Sequence, residues 1–162
     1  MSAWGGTTLR TRALRALAQR GHITGGAQPL LEIEDPDFGW AAVLQGETPS
    51  MRLLCHARSG SDTGAGYRLV DFETRPVLMA DPEMGALAVG GPLPAGASAV
   101  RADAGGATGL AVRAGHGAWL VCVEHMADES LEIGFVDALQ QPVGPSVRLD
   151  RVGSHVLLRR ED

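Results

Sequence analysis

Apolar and polar positions along this chain follow two rhythms, and the change between them is abrupt. Residues 7 to 21, TTLRTRALRALAQRG, place Leu9, Ala13, Ala16 and Leu17 on one stripe at helical spacing, with Leu14 beside it. The interior is Ala, Leu and Arg, all good helix formers. Thr7 or Thr8 offers a hydroxyl for the orphan amide hydrogens of the first turn, and Gly21 suits the stop. After a linker-like GGAQP (25 to 29), short apolar runs take over, broken every several residues by Gly, Pro, Asp or Ser.

These runs predict strands at 30–34, 39–45, 51–57, 66–72, 76–80, 86–90, 98–103, 108–114, 118–124, 131–138, 146–150 and 154–160. Twelve is one or two more than such a chain is expected to form. Many short strands with no long helix between them imply an all-β, antiparallel sandwich or barrel with a short N-terminal α-helix. The chain divides into a basic helical arm and linker, 1–28, and a β-sandwich domain, 29–162. Two stretches echo each other, DPDFGWAAVLQG and AGHGAWLVCVEH, a Gly-containing turn followed by Trp and an apolar run. Shared hairpin grammar accounts for that echo.

The segment GPLPAGASAVRADAGGATGLAVRAGHGAWLVCVEHMADESLEIGFVDALQQPVG (91–144) resembles immunoglobulin-like sandwich domains of uncharacterised actinobacterial proteins. The resemblance covers about a third of the chain. It implies an immunoglobulin-like β-sandwich and carries no activity, cofactor or site residue with it. The antibody pattern, a Trp between two paired Cys, is not followed: Trp40 precedes Cys55, and Trp119 lies just before Cys122.

Length and composition permit one domain able to fold without a metal or disulfide. All 14 basic residues are Arg, and Lys and Asn are absent, as a high-GC bacterial genome would produce. The Arg and Gly content is therefore weak evidence of function. Charge is uneven. Arg10, Arg12, Arg15 and Arg20 precede the first acid, Glu32, giving +4; the remainder sets 10 Arg against 19 acids, giving −9. Four Arg on a helix whose N-terminus favours anions point to an acidic contact, within the chain or outside it. An acidic body repels a phosphate backbone, so nucleic acid ranks last as a partner. No run approaches a membrane span, and no signal-peptide core interrupts the arginines. A cytoplasmic protein with reduced thiols is expected.

Candidate chemistry centres on Cys55, His56, Cys122 and His125. Zinc needs about four converging ligands, but neighbouring strand residues point to opposite faces. Cys55 and Cys122 therefore read as small buried residues, with His56 and His125 facing solvent or a strand end; a Cys55–Cys122 disulfide is the second possibility, and it would need an oxidising compartment. A Cys122–His125–Asp128 nucleophile has no supporting spacing, because triads converge in space. The acids Glu32, Glu34, Asp35 and Asp37 lack the alternation and glycine bend of a calcium loop. The glycine-rich SGSDTGAG and GGATG lack the residues of phosphate and dinucleotide loops and read as hairpin turns. No metal, cofactor or catalytic residue is assigned.

The expected function is a non-enzymatic protein-binding, assembly or regulatory module. Trp4, Arg10, Arg12, Arg15 and Arg20 form its partner-binding set, Trp4 serving as an aromatic anchor. Self-association stays open. The alternative is a small-molecule-binding protein or hydrolase using His56, His116, His125 and Asp128. A third reading, docking of the arm on anionic lipid, has only a short Ala-rich stripe behind it.

Overall fold

The computed structural model describes residues 9–35, 39–46, 48, 50–57, 67–80, 87–103, 108–125, 130–152 and 155–161. Among the described residues, one helix, α1 (Leu9–Gln19), is followed by twelve strands. The first four are β1 (Leu31–Asp35), β2 (Gly39–Gln45), β3 (Arg52–Ala57) and β4 (Tyr67–Phe72). Next come β5 (Val77–Ala80), β6 (Leu87–Pro92), β7 (Ala99–Asp103) and β8 (Thr108–Gly115). The last are β9 (Ala118–His125), β10 (Ser130–Val136), β11 (Ser146–Val152) and β12 (His155–Glu161). All twelve sequence-predicted strands form, so the expectation that one or two would drop out is corrected. Glycine, proline and acidic punctuation marks real strand ends throughout the chain.

The strands make three antiparallel four-stranded sheets. The first sheet is a meander, β1-β2-β3-β4; the central sheet runs β5-β6-β9-β8; the outer sheet runs β12-β11-β10-β7. The chain is thus all-β with sandwich-type packing and a short N-terminal helix. An immunoglobulin domain packs two sheets; here a third is added, and the central one is covered on both faces.

Side-chain alternation shows how the layers are assigned. In β9, Ala118, Leu120 and Cys122 join Ala41, Val43 and Leu54 of the first sheet. The alternate residues Trp119, Val121 and Val123 join Leu131, Ile133, Phe135, Val147 and Leu149 of the outer sheet. A strand covered on both sides can carry no polar face, hence the unbroken AWLVCV. In β10, by contrast, Leu131, Ile133 and Phe135 are buried while Glu132 is exposed, the alternation of an outer layer. On the outer face of that sheet, Asp150 accepts from Arg148 and Arg159. These two guanidinium hydrogen bonds hold its carboxyl below the ordinary carboxylate range.

The helix supplies a fourth layer. Leu9, Ala13 and Leu17 pack on the opposite face of the first sheet, against Trp40, Ala42, Leu44, Leu53 and Cys55. This is the stripe the helical spacing predicts, and Leu17 is fully buried. The helix ends in a Schellman turn: His22 N donates to Leu17 O at 2.9 Å and Gly21 N to Ala18 O at 3.1 Å. The turn requires a positive φ at Gly21, observed at 78°. Thr7 and Thr8 lie outside the described residues.

The acidic contact implied by the arginines is internal for one of them. Arg10 Nε donates to Glu32 Oε2 at 2.8 Å, and its Nη2 donates to Gln28 Oε1 at 2.9 Å. Both ionic side chains remain partly solvated, so the pair contributes about 0.2–1 kcal/mol. It ties the first turn of the helix to β1.

Candidate functional site

At one end of the layer between the central and outer sheets the chain leaves an open recess of about 300 Å³. Its floor is aromatic. Trp119 of β9 and Phe135 of β10 stack tilted, with ring centroids 5.5 Å apart and planes 58° from parallel. Val147, at the start of β11, completes the buried part. The walls come from segments that begin or end strands at prolines: Pro76 before β5, Pro92 as the last residue of β6, Pro94 just beyond it, and Pro145 before β11. Proline belongs at such positions, where no ladder hydrogen bond is asked of it. Glu73 and Thr74, both exposed in the connection between β4 and β5, form the mouth.

Close backbone approach shapes the wall. A Cβ on Gly91 would sit 2.9 Å from Pro76 Cα and 3.1 Å from Trp119 Cζ2, so only glycine lets the proline lie against the indole. The indole Nε1–H donates to Pro92 O at 3.1 Å, which fixes the ring. Leu93 N donates to Gly117 O at 2.9 Å and ties this wall to the turn between β8 and β9.

The recess is short of donors. Four of its ten lining residues are prolines, which carry no N–H. The Trp119 indole and the Leu93 amide are already engaged. Among the lining side chains, the Thr74 hydroxyl is the remaining donor and the Glu73 carboxylate is a pure acceptor. Glu73 makes no ion pair among the described residues. An apolar body that carries its own donors matches this lining; an anion does not.

The sequence-predicted residues lie elsewhere. None of Arg10, Arg12, Arg15 or Arg20 lines the recess. Arg10 is held by Glu32 and Gln28. Arg12 is half-buried, and its Nε has no hydrogen-bond partner. Arg15 is exposed; Arg20, also exposed, is engaged within the molecule. Trp4 and Asp128 fall outside the described residues, as does the His125 side chain. The apolar stripe that lipid docking would use is buried against the first sheet.

His56 corrects an expectation. It is 7% exposed and engaged within the molecule, where solvent or a strand end was expected. β3 is covered on both faces, by the helix and by the central sheet, so its alternate residue has no solvent side. His116 is exposed in the turn after β8, with φ 54°. Its carbonyl accepts from Arg52 at 3.4 Å, and His56 lies four residues along β3 from Arg52, roughly 13 Å at strand rise. His56 is enclosed, whereas His116 lies in a solvent-facing turn.

The cysteines diverge as well. Cys55 faces the helix and Cys122 faces the interface of the first and central sheets. Both are free and buried. Burial pushes the Cys55 thiol up to about 12 and raises that of Cys122 further, with Arg113 opposing. Neither is a thiolate at neutral pH. No cluster of three or more His, Cys, Asp or Glu suited to a metal occurs among the described residues. Of the acids weighed for calcium, Glu32 is spent on Arg10 and Glu34 is exposed.

Sequence reasoning missed the recess because its lining comes from five separated stretches. The available signal was four prolines at three strand ends, with Trp119 and Phe135 nearby in the pattern. Scans against family models, curated proteins and solved structures find nothing that matches this chain.

Proposed function

We propose that this chain is a non-enzymatic protein-binding or assembly module whose contact point is the recess between its central and outer sheets. The observation that carries the reading is the recess itself: a preformed apolar concavity, floored by two aromatic rings, with a carboxylate at its mouth that makes no ion pair among the described residues. Aromatic anchors in concave sites supply much contact area at little entropic cost. The basic arm takes a secondary part. Arg15 remains available to an acidic partner, whereas Arg10 is used within the chain. The segment 91–144, whose resemblance to immunoglobulin-like domains suggests a binding sandwich, contributes β7 to β10 to the central and outer sheets. Two free thiols favour a reducing, cytoplasmic setting.

A second reading, a small-molecule-binding protein, draws on the same concavity, whose volume lies at the low end of ligand pockets, about 300–1,000 Å³. The hydrolase form of that reading loses support, because His56 is enclosed and His116 lies in a solvent-facing turn.

The test is co-purification from native cell extract with the full chain and two substitutions. Thr74→Trp closes the mouth; Arg15→Glu reverses the free helix charge. Loss of a reproducible partner with Thr74→Trp alone is the expected result. Loss with Arg15→Glu alone would move the contact to the helix. Retention by both would remove the recess, and a thermal-shift metabolite screen would then decide for the small-molecule reading. Truncation at Gln28 is unsuitable, since it would strip the cover from Trp40 and Cys55.

A further inference from the structure

The recess has a chemistry more specific than an apolar pocket, and it rests on the reading just proposed. Its walls are proline rings and its floor is Trp119 and Phe135, surfaces that stack well on a flat, weakly hydrated group. Its polar rim accepts and scarcely donates. Glu73 stands exposed at the mouth without an ion-pair partner among the described residues. Arg75, two residues on, is not part of the lining. The chain as a whole carries a net −5, which at long range favours a cation over an anion as the arriving group.

We propose that the recess accepts an arginine side chain presented by an extended segment of a partner protein. The aliphatic stem lies along the proline walls, and the guanidinium meets the Glu73 carboxylate. Three properties select arginine. A guanidinium brings its own donors to a donor-poor site, it can meet a carboxylate with two parallel hydrogen bonds, and it loses hydration more readily than an ammonium. An extended segment suits a mouth built from chain connections at the end of a sandwich, where only one side chain enters.

The test uses the full chain and the blocked pentapeptide acetyl-Gly-Pro-Arg-Pro-Gly-amide, whose prolines hold it extended. The readout is the Trp119 indole N–H resonance, followed through a titration. Saturable binding that moves this resonance is expected. Replacing Arg by citrulline, which keeps the shape and removes the charge, should weaken binding about tenfold. Glu73→Gln should weaken the arginine peptide by a similar factor and leave the citrulline peptide unchanged. Because Glu73 is exposed, this substitution leaves the fold intact, and an unchanged spectrum away from the mouth checks that. Equal binding of the two peptides, insensitivity to Glu73→Gln, or no binding at all would each overturn arginine recognition. The closed-mouth variant separates the two levels. If Thr74→Trp abolishes partner capture while the arginine peptide does not bind, the recess stands and arginine falls. If capture survives Thr74→Trp, the recess itself falls.

Discussion

Two tryptophans are buried in two different interfaces, and they are treated differently. Trp119, between the central and outer sheets, donates its indole N–H to Pro92 O at 3.1 Å. Trp40, between the helix and the first sheet, is equally buried, but its Nε1 has no hydrogen-bond partner. A buried donor left unpaired costs about 1–3 kcal/mol. The partners around them differ too. Trp119 packs among Val, Leu, Ile and Phe from two sheets, whereas the helix offers three leucines, one of them only partly buried, small alanines and a half-buried ion pair. The outer sheet is a structural half of the molecule. The helix is a cover, held by fewer and smaller groups over a strand pair that needs covering.

Leu17→Ala, which removes a fully buried side chain from the helix interface, should separate the two regions most strongly. Unfolding free energy should fall by about 2–5 kcal/mol, measured by urea denaturation. If the helix is a separable cover, Cys55 becomes open to alkylation in native buffer while Cys122 stays protected. Equal exposure of both thiols would show that cover and body open together.

Conservative replacement of the tryptophans gives the next largest difference. Trp119→Phe strands the Pro92 carbonyl and should cost about 1–3 kcal/mol. Trp40→Phe removes an unpaired donor along with some apolar area, and its cost should fall below about 1 kcal/mol. Similar losses in the two thermal melts would mean that Trp40 has a partner in solution, such as a buried water.

Alkaline stability compares the two sides through their thiols. Cys55, ordinarily near 9.0, is raised to about 12 by burial, and Cys122 is raised in the same sense. The folded state then keeps protons that the unfolded state releases. The stability contributed is full below pH 9 and is lost as pH climbs toward the folded value, by roughly 1.4 kcal/mol per pH unit for each thiol. The chain has no lysine and a single tyrosine, so few other groups titrate in that window. Cys55→Ala should flatten part of the slope and Cys122→Ala the rest, read from denaturation midpoints between pH 8 and 11.

The smallest effect belongs to the ion pair that fastens the cover. Arg10→Ala should lower stability by at most about 1 kcal/mol, and less at high salt. A larger loss would mark the Glu32 contact as more than a tie between helix and strand.

How legible all this was in the sequence depends on distance along the chain. The strands were legible because each is bounded by its own glycines and prolines, and the helix because its stripe and its Gly21 stop are local. The layer count was not stated, although its trace is present. GWAAVL and AWLVCV are apolar at every position, as strands covered on both faces must be, and β2 and β9 face each other across one interface. The echo between those two stretches is therefore a shared environment as much as hairpin grammar. The same logic places His56 inside, since LLCHA offers no polar alternation. The recess and the Arg10–Glu32 pair depend on segments far apart in the chain, and no local pattern announces them.

The doubly covered central sheet sets an order of events during synthesis. β1 to β4 pair only with sequence neighbours, so the first sheet can form early, and the helix can cap one face of it at once. Its other face, with Ala41, Val43 and Leu54, waits for β9. β6 likewise waits for β9, and β7 for β10, pairings that close long loops and form slowly. A nascent chain that has emerged only through β4 therefore presents one finished and one naked side to its surroundings. That interval, before Ala118–His125 arrives, is when this protein is most exposed to aggregation and most in need of a chaperone.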